Sequence, residues 1–255
     1  KMRYFKIVIF ATFVAILFSA CTHKTPYTNR SQLILMSSQE ELALGEKSYK
    51  ESLSEVKVVT GTKDATRVQA IGQRIAVAAN QPNYKWEFNL VDDNQANAFC
   101  LPGGKVVVYT GILKYAKNDD QLATVISHEV AHALARHGAE RVTQGMIQQG
   151  VGLIGSVAVA ATAPQYQNAF NQAYGLGSNL GVMLPYGRMQ ESEADEIGIY
   201  LMHKAGYNVN EATKFWENMS EGKSGGNDFF STHPSSQNRT KDIQTVINKI
   251  GNEAK

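Results

Sequence analysis

His128-Glu129-Val130-Ala131-His132 is the segment of this 255-residue chain with the most defined chemistry. On an α-helix, residues four apart stand one turn from each other on the same face. Two imidazoles so placed can hold one zinc ion, each nitrogen at about 2.0–2.1 Å. Glu129 is turned by about 100° from His128, which puts it beside such an ion rather than on it. There it can take a proton from a metal-activated water, whose pKa falls towards about 7. The segment therefore offers two ligands and a general base. Leu122, Val125, Ile126, Val130, Ala133 and Leu134 make the surrounding helix apolar over much of its surface. Two histidines and a glutamate buried in such a helix need a partner, and a metal provides one.

A catalytic zinc takes a third protein ligand and keeps one position open. His137 has the right type. On a helix continuing to a stop at Gly138, however, it faces away from His128 and reads as a capping or packing residue. Gly138 also stands where the metzincin pattern would place a histidine, which argues against that class. Glu191-Ser192-Glu193-Ala194-Asp195 opens a later helix, with Glu191 and Asp195 on one face. Glu191 can ligate the ion, and Asp195 can hold the outer nitrogen of a ligating histidine, most simply His128. Glu193 points elsewhere by periodicity. The competing reading is a solvated acidic helix start favoured by the macrodipole; the upstream motif tips the balance to metal. His203 could face the site but reads more simply as an ordinary helix histidine.

The elements that must position these residues follow from patterning. Ser38 to Glu41 resembles a capping box opening a helix to about Leu53. Val68, Ile71, Ile75 and Ala78 mark a helix over about 64–79. Trp86 to Leu90 alternates as a strand does. Asn97 to Leu101 and the β-branched run Lys105 to Tyr109 follow, joined by Pro102-Gly103-Gly104. Three such strands predict a small antiparallel sheet. Helices are expected from Asp119, over about 190–205 with Gly206 as stop, over 211–220, and over 239–250. The uncharged, Gly- and Ala-rich 146–163 segment reads as helical packing or a flap, with a membrane-touching element as the minor reading. The fold class is α+β, mainly helical, with no domain boundary after residue 38.

The chain carries a net charge of +2 and no basic patch, so nothing predicts a nucleic-acid partner. Lys1, Arg3 and Lys6 precede an uncharged apolar run from Ile7 to Ala20. As a helix that run spans about 21 Å, short of the roughly 30 Å bilayer core, so residues 1–20 read as a secretory signal. Ser19-Ala20-Cys21 resembles a bacterial lipobox, which implies lipid attachment at Cys21. Residues 22–37 then read as a polar tether, and 38–255 as the folded domain.

These pieces together resemble the HtpX-like gluzincin metallopeptidases, the group that includes the CAAX prenyl proteases and the periplasmic proteases BepA and LoiP. The resemblance runs from Asn29-Arg30-Ser31-Gln32-Leu33 and Glu41-Leu42-Ala43-Leu44-Gly45, through Asn97-Ala98-Phe99 and Leu101 to Gly104, to His128–Gly138, Glu191–Asp195, and Thr232-His233-Pro234 with Arg239. It implies a zincin-like zinc metalloendopeptidase with one Zn2+, held by His128, His132 and Glu191. It also implies that Asn97, Ala98 and Phe99 add an extended substrate to the sheet edge. By the same resemblance His233 is a removable fourth ligand or polarises the substrate carbonyl, and Arg239 stabilises the oxyanion. Nothing resembling BepA's tandem-repeat domain follows, which makes the LoiP-like lipoproteins the nearer analogue. The expected substrates are misfolded envelope proteins, and the expected place is the periplasmic face of a bacterial outer membrane. A chaperone-like or adaptor lipoprotein with a structural zinc, and a zinc amidase, are the alternatives.

Overall fold

A computed structural model describes residues 22–148, 170, 187–221, 229–234 and 238–253. The expected signal over 1–20, Cys21, and residues 149–163 of the uncharged segment lie outside that set. Among the described residues no helix is long and apolar enough to cross a membrane.

The chain enters through an antiparallel hairpin of β1 (Thr22–Lys24) and β2 (Ser31–Leu33). Its turn uses two left-handed residues, Tyr27 and Asn29, at φ 65° and 54°. The stretch expected as a tether is therefore folded. Thr25 and Gln32 are buried, and Gln32 Nε2 donates to the Ala135 carbonyl at 2.6 Å. Helix α1 (Ser38–Ser54) is capped one residue earlier than expected, because Ser37 and Glu40 form the reciprocal box. Glu41 is not free for that role. It is buried and accepts Arg136 Nε at 2.6 Å.

β3 (Val58–Val59) and α2 (Lys63–Ala79) follow, the helix capped by Thr62 and closed by left-handed Asn80. Val68, Ile71, Ile75 and Ala78 are buried, as their spacing requires. β4 (Glu87–Val91), β5 (Ala98–Leu101) and β6 (Lys105–Tyr109) complete a four-stranded sheet of order β3-β4-β6-β5. The expected antiparallel pairing holds for β5–β6, but β4 and β6 run parallel, with Glu87 opposite Lys105, and β3, not expected from the sequence, pairs antiparallel with β4. The sheet is mixed because the tight turn at Gly103 and Gly104, both at positive φ, folds β6 back inside β5. β6 is buried at every residue. Val106 and Val108 enter one core, and Val107 and Tyr109 another. A strand covered on both faces reads as a continuous apolar run rather than an alternation.

Helix α3 (Asp119–Leu134) starts at an Asn118 cap and is buried at every residue from Gln121 to Leu134. Each fully buried Leu, Ile or Val there contributes about 1.5–3 kcal/mol. The helix ends before the expected Gly138, because Arg136 turns left-handed at φ 55°. From there its guanidinium reaches Glu41 and, at 3.0 Å, the Met36 carbonyl. A new helix, α4 (His137–Gln148), begins at once, followed by α5 (Arg188–Lys204), α6 (Glu211–Glu221), α7 (Phe229–Thr232) and α8 (Arg239–Glu253). α5 crosses α3 at close range through Gly198, where an added Cβ would stand 3.3 Å from the His128 backbone nitrogen. That approach lets acidic residues at the start of α5 reach the histidines of α3.

Candidate metal centre

His128 and His132 from α3, Glu191 from α5 and His233 after α7 converge, with ligand atoms all within 4.8 Å of one another. All four side chains are buried. His128 Nε2 and His132 Nε2 face each other at 3.1 Å; two nitrogens on one tetrahedral zinc stand about 3.3 Å apart. Glu191 Oε1 lies 3.3 Å from His132 Nε2, and its Oε2 lies 3.4 Å from His128 Nε2. His233 Nδ1 is 3.0 Å from Glu191 Oε1, and its ring stacks on Phe229 at 4.3 Å. Glu129 Oε1 comes within 3.6 Å of His233 Nε2.

Two buried carboxylate oxygens here, Glu129 Oε1 and Glu191 Oε2, accept no hydrogen bond among the described residues. A buried carboxylate oxygen in that condition calls for a proton or a cation. Three imidazole nitrogens and a carboxylate form the N/O donor set that zinc takes. The residues present therefore fit a divalent metal. Burial pushes the Glu129 carboxyl up, as suits a base that must hold a proton in passing. Burial also works against charge on Glu191, but His233 and His128 outweigh it and hold that carboxyl well below the usual range. Burial lowers His132 well below the ordinary imidazole value. At His128 burial is outweighed by Glu191 and Asp195, which raise its pKa to about 9. A ligating imidazole must be neutral at the ligating nitrogen, so metal loading displaces that proton.

The expected support of His128 is present: its Nδ1 lies 3.0 Å from Asp195 Oδ1. Arg239, expected at the oxyanion, pairs with Asp195. Its Nη2 donates to Asp195 Oδ1 at 2.7 Å, beside Nδ1 of His128 at 3.4 Å, and its guanidinium lies 3.4 Å from the Trp216 ring centroid. That location is on the outer side of the imidazole, so Arg239 holds the residue that holds the ligand. The same Nη2 stands 3.6 Å from Glu191 Oε2.

His137 was expected to face away, and the break at Arg136 removes the premise. Its Nδ1 meets His132 Nδ1 at 2.9 Å, and its Nε2 meets Glu193 Oε2 at 3.0 Å. Glu193 in turn gathers Thr25, Thr28 and Arg30 from the hairpin. Burial opposes its charge, but hydrogen bonds from His137, Thr25, Thr28 and Arg30 hold its pKa down at about 2. Arg30 stood within a segment that carried the family resemblance, and that was the available signal for this cluster. Asn97, Ala98 and Phe99 are buried, with Asn97 Oδ1 accepting from the Ala98 amide and its carbonyl from the Tyr109 amide. Ala98 and Phe99 turn their side chains into opposite cores. β5 is the terminal strand of its sheet among the described residues. His203 is exposed, the ordinary helix histidine.

Residues 62–247 match the model of peptidase family M48, and they span most of the chain, metal cluster included. The chain belongs to peptidase family M48. M48 peptidases are zinc metallopeptidases, and the buried His/Glu cluster agrees with that chemistry. The chain is similar to the mitochondrial metalloendopeptidase OMA1 of Schizosaccharomyces pombe, 36% identical over 86% of this chain and 64% of that protein. It is similar to the Arabidopsis thaliana protein of the same name, 39% identical over 65% of this chain and 32% of the relative. The beta-barrel assembly-enhancing protease of Escherichia coli is 29% identical over 72% of this chain and 39% of its own length. The chain thus spans between about a third and two thirds of these three relatives. The expected bacterial-envelope location is overturned by the relatives named as mitochondrial, which come from fungi, a plant and mammals.

Proposed function

We propose that the chain is a zinc metalloendopeptidase that hydrolyses peptide bonds in extended protein segments. The observation that carries this is the placement of Glu129, a buried carboxylate with one unpartnered oxygen, beside the four-residue cluster. His128, His132 and Glu191 would hold the ion, and His233 is the removable fourth ligand. Zinc, when bound, supplies a Lewis acid that polarises water and the scissile carbonyl. Glu129 takes the proton of the attacking water as the C–O bond forms. The same carboxyl returns that proton to the amide nitrogen as the C–N bond breaks. Asp195 and Arg239 keep the His128 ring in place throughout.

His233 and Glu129 are 0% and 1% exposed, so a substrate reaches them only after a rearrangement of what covers the site. The buried β5 side chains leave backbone as the recognition surface, which supports unfolded or misassembled protein as substrate by strand addition. The apolar run Ile7–Ala20 directly precedes Cys21 and β1. Its lack of charge supports contact of that segment with a membrane.

The test is casein digestion by zinc-loaded protein against Glu129→Gln. Loss of the base should cost about 10²–10⁴-fold in rate with zinc still bound. Equal digestion by the two proteins would overturn the assignment.

A further inference from the structure

The polar cluster behind His132 has a fixed direction. Glu193 Oε1 accepts from the hydroxyls of Thr25, at 2.6 Å, and Thr28, while Oε2 accepts from Arg30 Nε at 2.6 Å. With donors on both oxygens Glu193 is a carboxylate, and a carboxylate only accepts. His137 Nε2, 3.0 Å from Oε2, therefore carries the hydrogen. A neutral imidazole has one donor and one acceptor nitrogen, so His137 Nδ1 accepts. The group it faces is His132 Nδ1, at 2.9 Å, which must then be the donor. His132 is left with a bare Nε2, the atom that faces His128 Nε2 and Glu191.

We propose that Glu193, clamped by Thr25, Thr28 and Arg30 of the N-terminal hairpin, sets the tautomer of His137 and through it that of the metal ligand His132. His137, Glu193 and the hairpin are then positioning groups for the metal centre. The inference rests on the reading of His128, His132 and Glu191 as ligands.

The alternative is that the cluster only glues the hairpin to the body. Glu140 separates the two cases. It accepts both Nη1 and Nη2 of the same Arg30, at 2.8 and 3.0 Å, and Gln190 Nε2 at 2.6 Å, and acts on His137 through its charge, whereas Glu193 is the carboxylate within hydrogen-bond distance of His137 Nε2. Glu193→Gln puts a donor opposite His137 Nε2. That lets the chain of hydrogens reverse and places one on His132 Nε2.

The experiment competes Zn2+ between the full chain and a chromophoric chelator. Loss of an outer-shell partner weakens metal affinity by about 10–100-fold, and that is the fall expected for Glu193→Gln. Glu140→Gln should stay within about twofold of the parent. Equal affinity in Glu193→Gln and parent, or equal losses in the two variants, overturns the proposal. If Glu193→Gln does not fold, 15N imidazole spectra of the parent decide. Hydrogens on His132 Nδ1 and His137 Nε2 support the relay, and the reverse pattern overturns it. A parent that binds no Zn2+ removes the metal reading, while the same spectra still judge the relay.

Discussion

His128 and His132 lie one turn apart on α3, yet their outer nitrogens meet different supports. Behind His128 a carboxylate sits directly on the ring: Asp195 at 3.0 Å, itself held by Arg239 at 2.7 Å. Behind His132 a second imidazole is interposed, and the carboxylate, Glu193, stands one ring further out. The first branch is short, deeply buried and built between α5 and α8. The second is longer, reaches a half-buried arginine, and ends on the hairpin at the start of the chain. One ligand is thus secured by the helical body, the other by a small and separately anchored element. The branches should respond differently to damage.

The largest effect is expected at the short branch. Asp195→Asn leaves the Arg239 guanidinium buried without its full counter-charge, a situation that costs about 3–5 kcal/mol. It should also weaken zinc binding by about 10–100-fold. Urea unfolding and chelator competition read the two losses, and a stability cost under about 1 kcal/mol would show that the short branch is not the stiffer one. Arg30→Gln should cost less, about 1–3 kcal/mol, because Thr25 and Thr28 still hold Glu193. A greater loss than for Asp195→Asn would reverse the comparison.

Acid tests the long branch separately. Glu193 has its folded pKa held at about 2, below the ordinary value of 4.5. Its contribution is full above pH 4.5 and fades as pH falls towards about 2. Melting temperatures of metal-free protein over that window should fall less steeply in Glu193→Gln than in the parent, and parallel slopes would contradict the assignment. The smallest effect is at the hairpin tip, where Tyr27 stacks on Tyr200 with centroids 5.3 Å apart. Tyr27→Ala should cost about 0.5–1.5 kcal/mol and leave zinc affinity unchanged; a clear loss of affinity would show the tip itself to be coupled to the ligand.

What was legible in the sequence divides along the same line. His128, His132, Glu191 and Asp195 follow from helical periodicity, since each pair lies four apart on one helix and shares a face. Helix α2 was legible for the same reason. His137 was not, because its role depends on a left-handed Arg136, a conformation that arginine rarely adopts and that the partners Glu41 and Met36 impose from outside. Glu193 points away from its own helix's metal face, as periodicity says, but its partners come from a hairpin that composition made look like a linker. The parallel β4–β6 pair was hidden because alternation records which face a residue takes, not the direction of the neighbouring strand. The proximity of Arg239 to the site was legible from the family resemblance, but its ion pair with Asp195 was not, since spacing does not say on which side of an imidazole a guanidinium lands.

Arg30 and Glu193 are 163 residues apart in the chain. During synthesis the hairpin precedes α5 and must wait for those residues before it can engage its partner. Closing so long a loop is entropically costly and slow, so this contact belongs to the last stage of folding. A nascent chain with α3 already formed holds both histidines but lacks the clasp on one of them. The support behind His132 would then be complete only once the hairpin and α5 have met.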